Sequence, residues 1–203
     1  MDAMAAAIEV IRQEHRALAT VMEVMQRLLA EIAAQHVPPD FTLLSAALYY
    51  VADFPERCHH PKEDEHLFKA LRRRTTQFNA VLDELQAEHV HSGRMLTQLQ
   101  CALVRYQGGA AGGLEAFRAA ITAYAAMMDE HMRKEDALLE RARQTLAAED
   151  WQAIAAAFGA NDDPLFGTGR REEFHRLYLR ILNLLPRKIR LAMLHPAGPG
   201  QQQ

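Results

Sequence analysis

The chain has 203 residues, a net charge of −3 and two cysteines, Cys58 and Cys101. This length suits one domain with a short extension, and two isolated cysteines exclude a disulfide framework. The charge balance gives no reason to expect nucleic acid binding. No segment contains the run of about 18 apolar residues that a membrane helix needs, and the first residues lack a signal-peptide pattern. We therefore expect a soluble, cytoplasmic protein.

The composition predicts long helices, because it is rich in Ala, Leu, Met and Glu and poor in alternating β-branched residues. Pro38 and Pro39 end the first helix, Thr75 and Thr76 are suitable N-caps for the third, and a glycine-rich linker starting at Gly108 ends it. Short loops between such helices favour an all-α, up-down-up-down four-helix bundle with a C-terminal helical extension. The expected helices are residues 2–36, 40–74, 75–107 and 114–147.

Each predicted helix carries a stripe of residues spaced three and four apart, which is the pattern of a bundle core. Histidines and glutamates interrupt the apolar stripes at His15, His59, Glu63, His89, His131 and Glu135. In the second half of the second helix, the stripe residues are spaced by four throughout. The helix must therefore be locally distorted to keep these residues on one face. Pro55 and Pro61 supply the cause of that distortion.

An internal repeat relates these residues. Residues 58–68 match residues 130–140 at an offset of 72, and the Glu-His pair ending at His15 matches the pair ending at His89 at an offset of 74. The bundle is thus interpreted as two copies of a helix pair. Each copy contributes one histidine from its first helix and one His-x-x-x-Glu motif from its second.

The repeated constellation predicts a metal site. Residues four apart on a helix point to one face, so His59 with Glu63, and His131 with Glu135, face the core. A buried carboxylate costs several kcal/mol unless it is paired or binds a metal, and two of them would repel each other. A lone stripe histidine is usually a satisfied core residue, but four histidines and two glutamates at matching offsets favour coordination.

The repeat also separates neighbouring candidates. His60 aligns with Met132 and His91 aligns with Ala17, so neither has a partner in the repeat that could bind a metal. We expect both histidines to lie outside the ligand set.

The acidic residues beside the motifs fall off the stripes. Asp64 and Asp136 are interpreted as solvated charges or as partners of Lys62 and Lys134.

Nitrogen and oxygen ligands without thiolate suit Fe, Mn or Zn. Six ligands exceed the needs of one tetrahedral zinc. They suit two ions that prefer octahedral coordination, each bound by two histidines and bridged by Glu63 and Glu135.

These motifs resemble the hemerythrin-like (HHE cation-binding) family in its bacterial form, over about residues 5–146. The family carries His on the first and third helices, His-x-x-x-Glu on the second, and His-x-x-x-Glu or His-x-x-x-x-Asp on the fourth. The resemblance implies two Fe ions with an oxo or hydroxo bridge that meet O2, nitric oxide or peroxide. In oxygen-carrying hemerythrins a further histidine follows the third-helix ligand by four residues, and here that position is Gly93. Its absence favours reactivity or sensing over reversible oxygen carriage.

The domain boundaries are expected to be a bundle at 1–147, a helical extension at 148–195 and a disordered tail at 196–203. From Pro164 onward there are seven basic residues against two acidic ones. A helix in this region, with Phe174, Leu177 and Ile181 on one side, is expected to pack on the bundle or in a homodimer. The alternative is an output surface for a partner, anionic lipid or nucleic acid.

The leading functional hypothesis is a non-haem di-iron protein that binds or senses O2 or nitric oxide. No nucleophile, phosphate loop or nucleotide motif supports a conventional enzyme. The alternatives are a di-iron enzyme that reduces peroxide or nitric oxide, an iron donor for cluster repair, or a structural bundle without metal.

Overall fold

The structure is a computed structural model that describes residues 2–161, 163, 165 and 183. Two π-helical segments, Pro55–His59 and Glu63–Phe68, join α2, α3 and α4 into one continuous helix over residues 41–74, here called the second bundle helix. The α-helices are Ala3–Ala33 (α1), Phe41–Phe54 (α2), His60–Lys62 (α3), Lys69–Arg74 (α4), Asn79–Gln107 (α5), Gly113–Ala142 (α6) and Ala148–Gly159 (α7).

The four long helices form the predicted up-down-up-down bundle. Each packs against its neighbour in the chain, and α6 returns to pack against α1, which closes the ring. The shorter helix α7 lies against α1 and the second π-helical segment. No helix among the described residues is long and apolar enough to cross a membrane. The expected basic C-terminal helix and the tail lie outside the described residues, apart from Asn183.

Several predicted helix ends were wrong by a few residues. Helix α1 ends at Ala33, because Gln35 adopts a left-handed φ of 59° before the two prolines are reached. Helix α5 begins at Asn79 and not near Thr75, whose hydroxyl instead accepts a hydrogen bond from the N–H of Gln77 in a turn. The fourth bundle helix ends at Ala142, where a short turn leads into α7.

The predicted stripes are confirmed as the buried faces of the four bundle helices. Their apolar residues form two core layers. One extends from Leu18 on α1 to Met128 on α6, and the other from Ile8 on α1 to Leu138 on α6. On α1 and α6 the stripe histidines, His15 and His131, fall between the two layers. The fold therefore places a polar layer across the middle of an apolar bundle.

The distortion predicted for the second bundle helix is confirmed. A π-helix bonds each residue to the fifth along the chain, so it has more residues per turn than an α-helix. The wider turns keep residues spaced by four on one buried face, at Pro55, His59, Glu63 and Leu67. Pro55 starts the first π-helical segment, and Pro61 lies in the short α-helical segment that separates the two. The distortion thus aims both a histidine and a glutamate at the core.

Candidate metal centre

The structure brings all six predicted residues together in the bundle interior, and every one of them is buried. Helix α1 supplies one of them, the second bundle helix two, α5 one and α6 two. They are His15, His59, Glu63, His89, His131 and Glu135.

One half of the cluster, here called the first position, is formed by His15 and His59. Their Nε2 atoms are 3.1 Å apart. Glu63 Oε1 lies 3.3 Å from His59 Nε2, and Glu135 Oε2 lies 3.2 Å from His15 Nε2. Two cis ligands of an octahedral ion are about 3 Å apart when each bond is about 2.1 Å long. The four side chains therefore converge as the ligands of one ion would.

The other half, here called the second position, is formed by His89 and His131. The remaining oxygen of Glu63, Oε2, lies 3.6 Å from His89 Nε2. Glu135 Oε1 lies 3.0 Å from His131 Nε2 and 3.5 Å from His89 Nε2. Each glutamate thus turns one oxygen towards each pair of imidazoles. This is the geometry that two bridging carboxylates would need.

The lack of hydrogen-bond partners at several donor atoms also fits a metal. Both oxygens of Glu63, both oxygens of Glu135, and Nε2 of His89 and of His131 are buried and have no hydrogen-bond partner in the described part of the chain. A buried polar atom without a partner costs about 1–3 kcal/mol, and more when it carries charge. Cations bound at the two positions would satisfy these atoms.

The outer nitrogens of two histidines are held by glutamates from neighbouring helices. Nδ1 of His59 is 2.7 Å from Oε2 of Glu14, and Nδ1 of His131 is 2.9 Å from Oε2 of Glu88. Such a carboxylate fixes the ring and its tautomer, so that Nε2 presents its lone pair to a metal. The sequence analysis gave these glutamates no role, although their place in the Glu-His repeat was the available signal.

The aspartates that follow Glu63 and Glu135 were predicted only in part, since both are partly exposed, at 31% and 45%, but neither pairs with a lysine. The prediction was solvation or pairing with lysines, but Asp64 accepts a hydrogen bond from Gln86 and lies 3.3 Å from Nδ1 of His89. Asp136 pairs with Arg12 and lies 3.8 Å from Nδ1 of His15. The partners of the two lysines lie elsewhere, on Asn161 for Lys62 and on Glu84 and Glu88 for Lys134. Asp64 thus adds an outer carboxylate at His89, whereas Nδ1 of His15 has no hydrogen-bond partner among the described residues.

Electrostatic attraction between the glutamates and the histidines shifts the pKa values in the cluster. Burial and the neighbouring Glu135 raise the pKa of Glu63, but His59 and His89 outweigh both and lower it to about 2. Burial lowers the pKa of His89, whereas Asp64, Glu135 and Glu63 together raise it to about 12. The glutamates are therefore ionised and His89 is protonated. A metal would have to displace that proton on binding.

A fifth histidine lies against the second position. His60 is only 3% exposed, and its ring stacks on that of His89 with centroids 4.2 Å apart. It belongs with Glu63, His89 and His131 to a group whose ligand atoms lie within 4.8 Å of one another. Burial lowers the pKa of His60, which favours the neutral form that metals bind. His91, the other histidine expected outside the ligand set, is exposed.

Helix α7 covers the first position. The ring of Phe158 lies 5.9 Å from that of His59, and Asn161, just after the helix, donates a hydrogen bond of 2.8 Å to Glu14. The C-terminal extension therefore helps to exclude water from the site and supports the glutamate that orients His59.

Comparison with known families agrees with this geometry. The model of the hemerythrin HHE cation binding domain matches residues 6–142, which span the bundle and contain all six predicted ligands. No curated protein matches the chain. Because the match covers more than half of the sequence, the chain belongs to the hemerythrin HHE cation-binding domain family.

Proposed function

We propose that this protein holds two iron ions and uses them to bind or sense O2 or nitric oxide. The first ion would be held by His15 and His59, and the second by His89 and His131. Glu63 and Glu135 would bridge them.

The observation that carries the proposal is the orientation of the two bridging carboxylates. Glu63 has one oxygen 3.3 Å from His59 and the other 3.6 Å from His89, and Glu135 has one oxygen 3.2 Å from His15 and the other 3.0 Å from His131. A single ion would not need donors facing two separate imidazole pairs. Iron is one of the metals that imidazole and carboxylate ligands suit when no thiolate is present.

The donor count supports a small ligand. Each position in the proposal receives two imidazole nitrogens and two carboxylate oxygens, whereas octahedral iron takes about six ligands. Iron in such a site supplies redox chemistry and affinity for diatomic molecules.

The protein surroundings suit the same role. Apolar core layers lie on both sides of the cluster, and Phe68 and Phe158 lie beside His89 and His59. These apolar side chains help to keep bulk water away from the cluster. The outer carboxylates hold the imidazoles in place, so the ions would not need to reorganise their ligands when a small molecule enters.

The test is anaerobic titration of the reduced, iron-loaded protein with nitric oxide or O2, followed by optical and Mössbauer spectroscopy. The proposal expects a spectral change that saturates at a fixed ratio of ligand to chain. The variant Glu135→Ala should lose this change. Glu130→Ala removes an exposed carboxylate from the same helix and should keep it.

Two outcomes would contradict the proposal. One is an iron-loaded protein whose spectrum is unaffected by either gas. The other is sustained consumption of nitric oxide or peroxide over many equivalents with an electron donor, which would make the protein an enzyme and favour the alternative hypothesis.

A further inference from the structure

We propose that His60 is a fifth imidazole ligand, bound to the ion at the second position, so that the two irons have unequal coordination. This inference rests on the proposed di-iron function and adds a ligand to it. The second ion would be held by His60, His89 and His131, whereas the first would have only His15 and His59.

The placement of His60 carries the first part of the argument. It groups with Glu63, His89 and His131 within 4.8 Å, ligand atom to ligand atom. Trans ligands of an octahedral ion with bonds of about 2.1 Å lie about 4.2 Å apart, so the group would have to contract around an ion. The His60 ring would also have to tilt out of its stacked position on His89, where the two ring planes are 12° apart. The His60 ring centroid is 4.2 Å from that of His89 and 5.6 Å from that of His131.

The orientation of the His60 ring carries the second part. Its Nδ1 lies 3.5 Å from Oε1 of Glu56, one helical turn earlier. The four predicted histidine ligands have a similar orientation. In each of them Nδ1 lies beside a carboxylate and Nε2 lies in the cluster. His60 thus has the outer carboxylate that a metal-binding histidine normally has.

Among the described residues, nothing satisfies the remaining nitrogen. His60 is 3% exposed, and its Nε2 has no hydrogen-bond partner there. If His60 served only for packing, an aromatic hydrocarbon side chain at this position would be more favourable, because an unpaired buried nitrogen costs about 1–3 kcal/mol. Coordination by Nε2 removes that cost.

The surroundings of Glu56 fix it in place. Its Oε1 accepts a hydrogen bond of 2.8 Å from the hydroxyl of Ser92, which in turn contacts the hydroxyl of Tyr124 at 3.2 Å. A Cβ added at Gly93 would lie 3.8 Å from Oε2 of Glu56. The space beside Gly93 is therefore occupied by the carboxylate that supports His60. The second bundle helix would provide the extra imidazole that residue 93 lacks.

The π-helical segment explains how His60 reaches the core beside His59. Adjacent residues of an α-helix point about 100° apart, so only one of them would normally lie on the stripe. His59 ends the first π-helical segment, and His60 begins the short α-helical segment that follows it. With this change of winding both side chains are buried, at 4% and 3% exposure.

The test compares His60→Phe and His60→Ala in protein loaded with 57Fe and read by Mössbauer spectroscopy. Phe keeps the stacked ring and removes both nitrogens, while Ala leaves space for a free imidazole. The control His91→Phe changes an exposed histidine on α5. The parent protein and the control should give two iron signals of equal area but different parameters.

His60→Phe should shift only one of the two signals and weaken binding of one iron by at least about tenfold. Added imidazole should restore the parent spectrum of His60→Ala, whereas toluene should not. A spectrum of His60→Phe identical to that of the parent, or no recovery of His60→Ala with imidazole, would overturn the proposal. A parent protein that binds fewer than two irons would instead overturn the di-iron function itself.

Discussion

Glu14 and His59 lie on different helices, yet Glu14 Oε2 is 2.7 Å from His59 Nδ1. The same relationship recurs across the bundle, where Glu88 Oε2 is 2.9 Å from Nδ1 of His131. Each glutamate directly precedes a predicted ligand in the sequence. In the proposed site, one Glu-His pair would therefore provide a ligand from its own helix and orient a ligand on the next helix, which would explain why the pair is repeated.

This arrangement predicts the effect of removing a single outer charge. Glu14→Gln and Glu88→Gln keep the side-chain size but weaken the hold on Nδ1, so each should lower metal affinity by about 10–100-fold. Competition with a chromogenic chelator measures this change. Glu84→Gln alters a more exposed carboxylate that pairs with the same Lys134 as Glu88, and it should leave the affinity unchanged. Equal affinities in all three variants would argue against an orienting role.

Metal binding should stabilise the fold. Glu63 and Glu135 are buried, at no more than 1% exposure, and their four oxygens lack hydrogen-bond partners among the described residues. A ligand that binds only the folded state at about 100 times its Kd adds about 2.7 kcal/mol to the free energy of unfolding. Calorimetry with and without iron should therefore show a higher Tm for the loaded protein. Coincident melting curves would count against a buried site.

The attachment of α7 depends on Asp150, which accepts hydrogen bonds from Arg74 at 2.7 Å and from the Ala147 N–H at 3.1 Å. Asp150→Ala should lower the free energy of unfolding by about 1 kcal/mol, the usual loss for a helix N-terminal contact of this kind. Urea unfolding at neutral pH measures this. Glu149→Ala removes an exposed neighbour and should cost less, because a single salt bridge at the surface contributes little.

The same carboxylate gives a pH dependence with a defined sign. Burial raises the pKa of Asp150, but the hydrogen bonds from Arg74 and the Ala147 N–H outweigh it and lower the pKa below the usual value. Its contribution is therefore present above the unfolded pKa of about 3.9 and is lost as pH falls through the lower folded value. The stability difference between the parent and Asp150→Ala should shrink below about pH 4. A difference that stays constant down to pH 2 would contradict this.

The sequence predicted the bundle and its central cluster well, because a buried stripe has a period that can be read directly. His15, His89 and the two His-x-x-x-Glu motifs stood out as polar residues at apolar positions. Their convergence followed from the ring of four antiparallel helices. The exact helix ends did not follow, since the left-handed Gln35 and the turn at Thr75 depend on local hydrogen bonds that carry little signal in the sequence.

The surroundings of the cluster were harder to predict for a physical reason. The repeat argument excluded His60 because its counterpart is Met132, but the change of winding at Pro55–His59 occurs in only one half of the repeat. Asp64 and Asp136 fall off the α-helical stripe, yet a long-range contact to a neighbouring helix is set by interhelical packing and not by periodicity. Symmetry in the sequence therefore predicted the residues that the two halves share at the centre of the cluster and missed the buried place of His60 beside them.

The most direct test of the di-iron proposal is the iron content per chain of the purified, iron-reconstituted protein. It is measured beside the single variants His15→Ala, His59→Ala, His89→Ala and His131→Ala. We expect close to two irons in the parent, because the donors divide into two positions that both Glu63 and Glu135 face. Each variant should lose iron and near-ultraviolet absorption. Full iron content and an unchanged spectrum in all four variants would contradict the assignment.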